Sequence, residues 1–347
     1  MDIEKELGKK SKMVDRCIEK YIPKKYNASA AEFAFGKARY KYNIEAATKS
    51  LSEPVWDLLD RGGKRWRPAL FLMVAEALGA DAKKYLDLVV PIEIIHNGSL
   101  VLDDIEDSSE LRRGKPCTHR IFGVDVAVNA GTAMFYLPLL VLLKNRMKLP
   151  QEKLLKLYEI YSQELINIHL GQGMDITWHR GMCSPSSVDE YLQMCAFKTG
   201  TLARVAAKFG AVVAGANSET IEKMGRLAEA IGIGFQIQDD ILDIISDDRK
   251  WGKSYGNDIH EGKRTLMVIH AMQHKKGKRL LEILDMHTSD RKLVDEAIGI
   301  LGGAGSIEYA KDLARDIVGK AWKEAKPLLK NPGTLEAFVR FAVERKY

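Results

Sequence analysis

GFQIQDDILD, Gly234 to Asp243, closes a mostly apolar run with three aspartates, and the same layout ends HNGSLVLDDIED, His96 to Asp107, far earlier in the chain. On a helix, positions i and i+4 share a face and i+1 lies about 100° round from i. Asp103, Asp104 and Asp107, and likewise Asp239, Asp240 and Asp243, would therefore project carboxylates from one helical rim. Such a rim repels itself unless something neutralises it. Carboxylate oxygens are the ligands Mg²⁺ prefers, and Mg²⁺ held by one or two carboxylates completes its shell with water and substrate phosphate. Two facing rims can hold several Mg²⁺ ions around one diphosphate. A single DDxxD is most often a solvated helix end. Two copies, each closing an apolar stretch (Ile94, Ile95, Leu100, Val101 and Leu102 in one, Phe235 and Ile237 in the other), are hard to explain as surface charge. Neither copy has the spacing of a Ca²⁺-binding EF-hand loop.

Outward from these stretches, helical periodicity dominates. Residues 68–78, 85–107, 124–143, 152–176, 188–213, 221–245, 265–272, 291–301 and 307–329 read as apolar-rich helices. Val124 to Val128 alternates with period two but leads straight into a helical run, so strands have little claim. Pro91 and Pro138 fall inside expected helices and should mark a kink or a boundary. The expected fold is all-α: a single-domain antiparallel helical bundle over residues 1–347, around a deep central cavity. No linker or low-complexity tract interrupts it, and the aspartate clusters are its only repeat. Residues 1–50 match no motif and read as a helical extension, with 24–42 a helix plus loop packed on the bundle or on a second subunit.

With 53 Lys and Arg against 47 Asp and Glu, the net charge is +6, a mild basic balance that favours polyanionic ligands. Nucleic acid would need a longer basic stripe with interleaved aromatics, which is missing. Met1 to Lys12 is charged and lacks the apolar core of a signal peptide. The longest apolar run, Gly131 to Leu143, is too short for a bilayer and carries Pro138. A cytoplasmic protein without stable membrane insertion is expected. Cys17, Cys117, Cys183 and Cys195 show neither CxxC pairing nor zinc-spaced histidines, and are expected to be reduced thiols.

Two basic clusters stand out. His274 to Arg279 reads as a helix end and solvated loop, while Arg61 to Pro68 packs basic groups around glycines. Beyond the first aspartate cluster, Arg112 and Arg113 sit side by side on a turn. Neighbours on a turn point apart, so each can serve a different phosphate with its guanidinium fork.

Taken together, GGKRWRP (Gly62 to Pro68), HNGSLVLDDIEDSSELRRGKP (His96 to Pro116), GQGMD (Gly171 to Asp175), KTG (Lys198 to Gly200), GFQIQDDILD and WGKSYGNDIHEGKRTL (Trp251 to Leu266) resemble the trans-isoprenyl diphosphate synthase, or polyprenyl synthetase, family in wording and order. The DDIEDSS and LRRG wording is closest to geranylgeranyl diphosphate synthases. The resemblance implies that Asp103, Asp104, Asp107, Asp239, Asp240 and Asp243 hold about three Mg²⁺ ions that chelate an allylic diphosphate. It implies that Arg112, Lys198 and Lys253 contact the same diphosphate. Gly63, Lys64, Arg67, His96 and Arg113 would form a metal-free site for isopentenyl diphosphate, with Lys263 and Arg264 as helpers. Thr199, Gln172 and Gln236 would flank the reacting carbons, and a homodimer is the implied assembly. His96 and Gln236 also admit purely structural roles, and His119, His169 and His179 have no ligand-like spacing.

The chemistry agrees with that division of labour. An allylic cation forms only if the departing diphosphate's charge is neutralised, so metal ions and Lys or Arg do the work and no protein nucleophile is needed. Two other readings stay open, a class I terpene cyclase and a regulatory subunit of a heteromeric synthase. For chain length, Ser99 and Gly98 lie one turn before Asp103 and are small, so the floor should lie deeper, at Ile95 or at Met134, Phe135 and Tyr136. Geranylgeranyl diphosphate is the expected product, with geranylfarnesyl diphosphate as the alternative.

Overall fold

The computed structural model describes residues 3–185, 187–245 and 256–344. Among these the only strands are Leu111–Arg112 and Lys115–Pro116, and all other regular structure is helical. The chain divides into two compact units, Met1–Ile160 with Ala206–Asn217, and Tyr161–Val205 with Ser218–Tyr347.

In the first unit the central element is the helix Val89–Glu106, with Val90, Ile92, Ile94, Ile95 and Val101 all buried. A helix apolar on most sides belongs in a core. Pro91 falls in its first turn, where a missing N–H is tolerated, so it marks a boundary. The residues before it form a 3₁₀ segment, Ala82–Leu88, in which Tyr85 leaves helical geometry at φ −118. The helix expected from residue 85 therefore begins later.

Ile3–Tyr21, Trp66–Ala77 and Val124–Tyr136 pack around this core helix. Its approach to Val124–Tyr136 is close because glycines meet there. A Cβ built on Gly98 would lie 2.7 Å from Met134 Cβ, and one on Gly131 would lie 2.9 Å from Leu102 Cδ2. Pro138 splits the helix expected over 124–143 into Val124–Tyr136 and Leu139–Asn145. By length and composition, Ala82–Glu106 and Val124–Asn145 would suffice to cross a membrane, a longer apolar extent than the run at 131–143 suggested. Much of each is buried inside the fold, and the second is broken at Pro138.

The N-terminal residues belong to this unit. Leu7, Val14, Ile18 and Tyr21 line one buried stripe of Ile3–Tyr21, and Lys20 Nζ and Tyr21 Oη each donate to Asp87 at 2.7 Å. Residues 24–42 form the expected helix, Ala28–Phe35, and loop. They pack on their own chain, with the Phe33 ring 6.0 Å from Tyr21 and under the Lys144 ammonium.

In the second unit Ser218–Ile245 is the spine, packed against Ser306–Ala325 and Gly333–Glu344. Ile231, Phe235, Ile237, Ile241 and Ile244 are buried along it. The single helix expected over 188–213 is interrupted: Val188–Cys195 leads into a π-helical turn, Ala196–Gly200, before Thr201–Val213. Leu266–Met272 and Arg291–Gly303 lie where periodicity put them. His274 to Lys276 form the expected loop, but Gly277 then opens a further helix, Gly277–Asp285, that buries Leu280, Ile283 and Leu284. Lys278 and Arg279 are thus helical.

Candidate active site

The core helix stops at the first aspartate cluster because Ser108 turns left-handed at φ 53, which folds its N–H back to the Ile105 carbonyl at 3.2 Å and the Ser109 N–H to the Asp104 carbonyl at 2.9 Å. The chain then enters the hairpin, with Leu111 opposite Pro116 and Arg112 opposite Lys115. Its two-residue loop, Arg113-Gly114, has φ of 53 and 74, the mirror-image turn whose twist suits a hairpin. This turn sends the two arginines to different partners. Arg112 Nε donates to Asp104 Oδ1 at 2.8 Å, and its Nη2 lies 3.6 Å from Asp103 Oδ2. Arg113 donates to the Leu58 carbonyl at 3.1 Å, to the Gly62 carbonyl, and to Asn97 Oδ1 at 3.2 Å.

The electrostatics of the pair differ accordingly. Burial disfavours the Arg112 charge, but the Asp104 carboxylate outweighs it and its pKa is raised. For Arg113 burial acts first, then repulsion from Arg65, Arg112 and Arg61 exceeds the pull of Glu93, and the pKa is pushed down to about 10. That is a cation short of an anion. His96 shares the cluster, with Nε2 3.2 Å from Arg67 Nη1. Burial, reinforced by Arg67, Arg113, Arg65 and Arg112, holds its pKa well below the usual histidine range, so the imidazole is neutral. Gly63 borders the same group. At φ 142 it adopts a backbone suited to glycine, and a Cβ there would lie 3.2 Å from Arg113 Nη2. Lys64 is exposed on this loop.

Arg65 behaves differently from its basic neighbours. It is buried, left-handed at φ 47, and bonded to Glu93 at 2.7 Å, Asp15 at 3.1 Å and the Leu59 carbonyl at 2.9 Å. It fixes the loop from inside, a role that no periodicity in a glycine-rich turn could signal. Arg61 likewise donates to the Arg112 carbonyl at 3.0 Å and braces the hairpin.

In the second unit, a chain of hydrogen bonds runs through the second cluster. Thr199 Oγ1 donates to Gln236 Oε1, and Gln236 Nε2 to Asp240 Oδ1, both at 2.8 Å. Tyr191 Oη donates to Asp240 Oδ2 at 2.8 Å. Burial, then the nearby Asp258, raises the Asp240 pKa, while these two donors and Lys263 hold it back. Asp243 Oδ2 accepts from the Asp258 N–H at 2.9 Å. Lys198 Nζ pairs with Asp175 at 2.5 Å, and Lys263 with Asp258 at 3.3 Å and with Glu261. Arg264 is committed to Asp285 and to the Gly262 carbonyl at 2.8 Å. Gln172 is half-buried and Asp239 remains partly accessible. Lys253 lies outside the described residues. Tyr191 carried no sequence signal, and Asp258 falls inside the Trp251 to Leu266 stretch without having been given a role. Asp175 closes the GQGMD stretch, whose last residue had been given no role.

Among the described residues no three His, Cys, Asp or Glu side chains converge on one point as a ready metal cage; protein donors occupy Asp104, Asp240 and Asp243. The donor set nevertheless suits a hard cation. Asp104 Oδ2 is buried with no hydrogen-bond partner, a state a buried polar atom rarely keeps without an unseen partner or ion. Its neighbour Cys117 has its thiol pushed up to about 12 by burial and then by Asp104.

The chain-length candidates fall in the first unit. Ile95 and Met134 are fully buried and Phe135 nearly so, while Tyr136 is 66% exposed. Ser99 is half-buried and donates to the His96 carbonyl at 2.9 Å.

An all-helical frame bearing two aspartate clusters and a guanidinium pocket with neutral acceptors is that of an enzyme of diphosphate chemistry. Residues 48–301 match the family described as polyprenyl synthetase. A short chain isoprenyl diphosphate synthase of Methanothermobacter thermautotrophicus is 35% identical over 296 residues, 84% of this chain and 89% of that protein. A geranylfarnesyl diphosphate synthase of Aeropyrum pernix is 36% identical over 272 residues, 76% and 83% of the two chains. The crystal structure of a geranylgeranyl pyrophosphate synthetase from Pyrococcus horikoshii superposes with a TM-score of 0.84 at 34% identity, over 99% of each chain. The chain belongs to the polyprenyl synthetase family and is a prenyl-transferring enzyme.

Proposed function

We propose that the enzyme condenses isopentenyl diphosphate with an allylic diphosphate and that its main product is geranylgeranyl diphosphate. The observation that carries the two-substrate reading is the hairpin at Arg112 and Arg113. One arginine sits on carboxylates suited to metal, and its neighbour sits among neutral acceptors and other cations. Two anion sites of different chemistry adjoin. The first suits a diphosphate bound through metal and the second a diphosphate bound by guanidinium alone.

Asp103, Asp104, Asp107, Asp239, Asp240 and Asp243 would hold Mg²⁺, which when bound neutralises the charge of the leaving diphosphate. Arg112, Lys198 and Lys253 would add positive charge to that same leaving group as the allylic C1–O bond breaks. Arg113, Arg67, Lys64 and neutral His96 orient isopentenyl diphosphate, whose double bond attacks C1 and whose proton passes to the released diphosphate. Thr199 and Gln236 are already linked at 2.8 Å and present oxygens to the developing cation, with Gln172 beside them. The length assignment rests on the sequence wording around Asp103 and on relatives that carry geranylgeranyl and geranylfarnesyl names.

A cytoplasmic homodimer is part of the proposal. Val124, Val128 and Tyr136 on Val124–Tyr136, Leu143 on Leu139–Asn145 and Met147 just after it are all exposed, apolar surface of the kind that association covers. Light scattering on the eluting protein tests this.

Incubation with farnesyl diphosphate, Mg²⁺ and labelled isopentenyl diphosphate tests the reaction. Label should enter a geranylgeranyl product, and chelation should abolish it. Diphosphate release without isopentenyl diphosphate would point to a cyclase, and no turnover at all to a regulatory subunit.

A further inference from the structure

Lys198 and Thr199 ride on the π-helical turn Ala196–Gly200, and the surroundings of that turn are unusually constrained. Gly171 abuts one side, where a Cβ would lie 2.3 Å from Lys198 N and 2.6 Å from Phe197 C. Gly232 abuts the other, where a Cβ would lie 2.7 Å from Gly200 Cα. Neither wall can move without displacing the turn. A wide turn inside an α-helix is a strained insertion that often marks a functional site, and something has to hold its head.

Arg204 does so. It is 6% exposed and donates from Nη1 to the Ala196 carbonyl at 3.1 Å, the first residue of the turn. Its guanidinium also lies 5.7 Å from the Phe197 ring centre. The fork is fixed from behind by Glu164, with Nε 3.0 Å from Oε1 and Nη2 2.6 Å from Oε2, by Thr201 Oγ1 at 2.9 Å, and by Glu229. Both acids outweigh the burial of the guanidinium and keep it charged. A buried ion triad of this kind contributes little net stability over an apolar packing of the same volume. Its geometry, by contrast, fixes one backbone carbonyl two residues from Lys198.

We propose that Arg204 is a positioning residue for prenyl transfer: braced by Glu164 and Glu229, it sets the π-helical turn so that Lys198 and Thr199 meet the allylic diphosphate and its C1. The inference rests on the roles proposed above for Lys198 and Thr199. Lysine cannot replace it, because an ammonium lacks the planar fork that spans Glu164 and the Ala196 carbonyl together.

Arg204→Lys and Glu229→Gln, in the full chain, test this by steady-state kinetics with each diphosphate varied in turn. Both variants should lose kcat/KM for the allylic diphosphate, by up to about 10²-fold for a displacement near 1 Å. KM for isopentenyl diphosphate should stay unchanged, because the residues proposed to orient it, Lys64, Arg67, His96 and Arg113, lie on other elements than the π-helical turn. Glu229 is partly exposed, so its variant keeps the test alive if Arg204→Lys does not fold. Calorimetric binding of inorganic diphosphate with Mg²⁺ reads the same turn without turnover. An inactive wild type whose diphosphate binding still weakens in both variants would remove the condensation reading and leave the positioning role standing. Wild-type allylic kinetics in both variants, or a parallel rise in KM for both substrates, would overturn it.

Discussion

His96 is neutral because burial and four guanidiniums oppose its proton. A histidine whose folded pKa is depressed binds fewer protons folded than unfolded between that value and the free value near 6.5. Stability therefore falls as the pH drops below about 6.5, by up to roughly 1.4 kcal/mol per pH unit until the folded imidazole itself titrates. His96→Gln removes the titration while keeping a polar group. Its melting temperature should fall less between pH 7.5 and 5 than that of the wild type, and parallel curves would show that His96 is not held neutral. The two hairpin arginines separate in another way. Arg112 pairs with a carboxylate that is to serve the leaving diphosphate, so Arg112→Ala should chiefly lower kcat. Arg113, short of an anion, should show its loss in KM for isopentenyl diphosphate. Equal effects on both parameters for both substrates would refute two sites.

Glycines show how the same residue type plays opposite parts in different helices. Gly299 and Gly319 lie within Arg291–Gly303 and Ser306–Ala325 with nothing within 4 Å of an added Cβ. Alanine there should stabilise by about 0.5–1 kcal/mol each through helix propensity, read as a raised melting temperature. Gly98→Ala should do the reverse, because its Cβ would lie 2.7 Å from that of Met134; overpacking of this kind costs about 1–3 kcal/mol. A neutral Gly98→Ala would mean that the two helices can separate freely. Both classes look alike in the sequence, where a helical glycine is only a weak spot. What was legible there was long and periodic: the core helix, the spine, and the aspartates that end them. The π-helical turn was missed because one inserted residue leaves the apolar pattern of 188–213 nearly intact. Ile3–Tyr21 was legible only as part of a helical extension over residues 1–50, without bounds, because Lys and Glu fill the faces between Leu7, Val14, Ile18 and Tyr21. The inward turn of Arg65 depends on Glu93 and Asp15, far away in sequence.

Product length is decided by how far a growing tail runs before it meets side chains that will not yield. From Asp103 the proposed path follows the core helix back through Ser99 to Ile95, and each turn of about 5.4 Å is comparable to one isoprene unit. Ser99 is half-buried and small, so it sets no floor. Gly98 does not leave open space beside it, since Met134 and Phe135 from Val124–Tyr136 close directly onto it. These two buried side chains, with Ile95, form the floor in this proposal. Tyr136, 66% exposed, points elsewhere and drops out. Ser99→Phe should raise the floor by a turn and shift the product from twenty carbons toward fifteen. Phe135→Ala should deepen it and admit twenty-five, while Tyr136→Ala should leave the distribution as it was. Chromatography of the dephosphorylated products reads all three. An active Ser99→Phe enzyme with unaltered products would show that the tail does not follow this face of the helix, and a lengthened product from Tyr136→Ala would move the floor to a surface that the single chain leaves open.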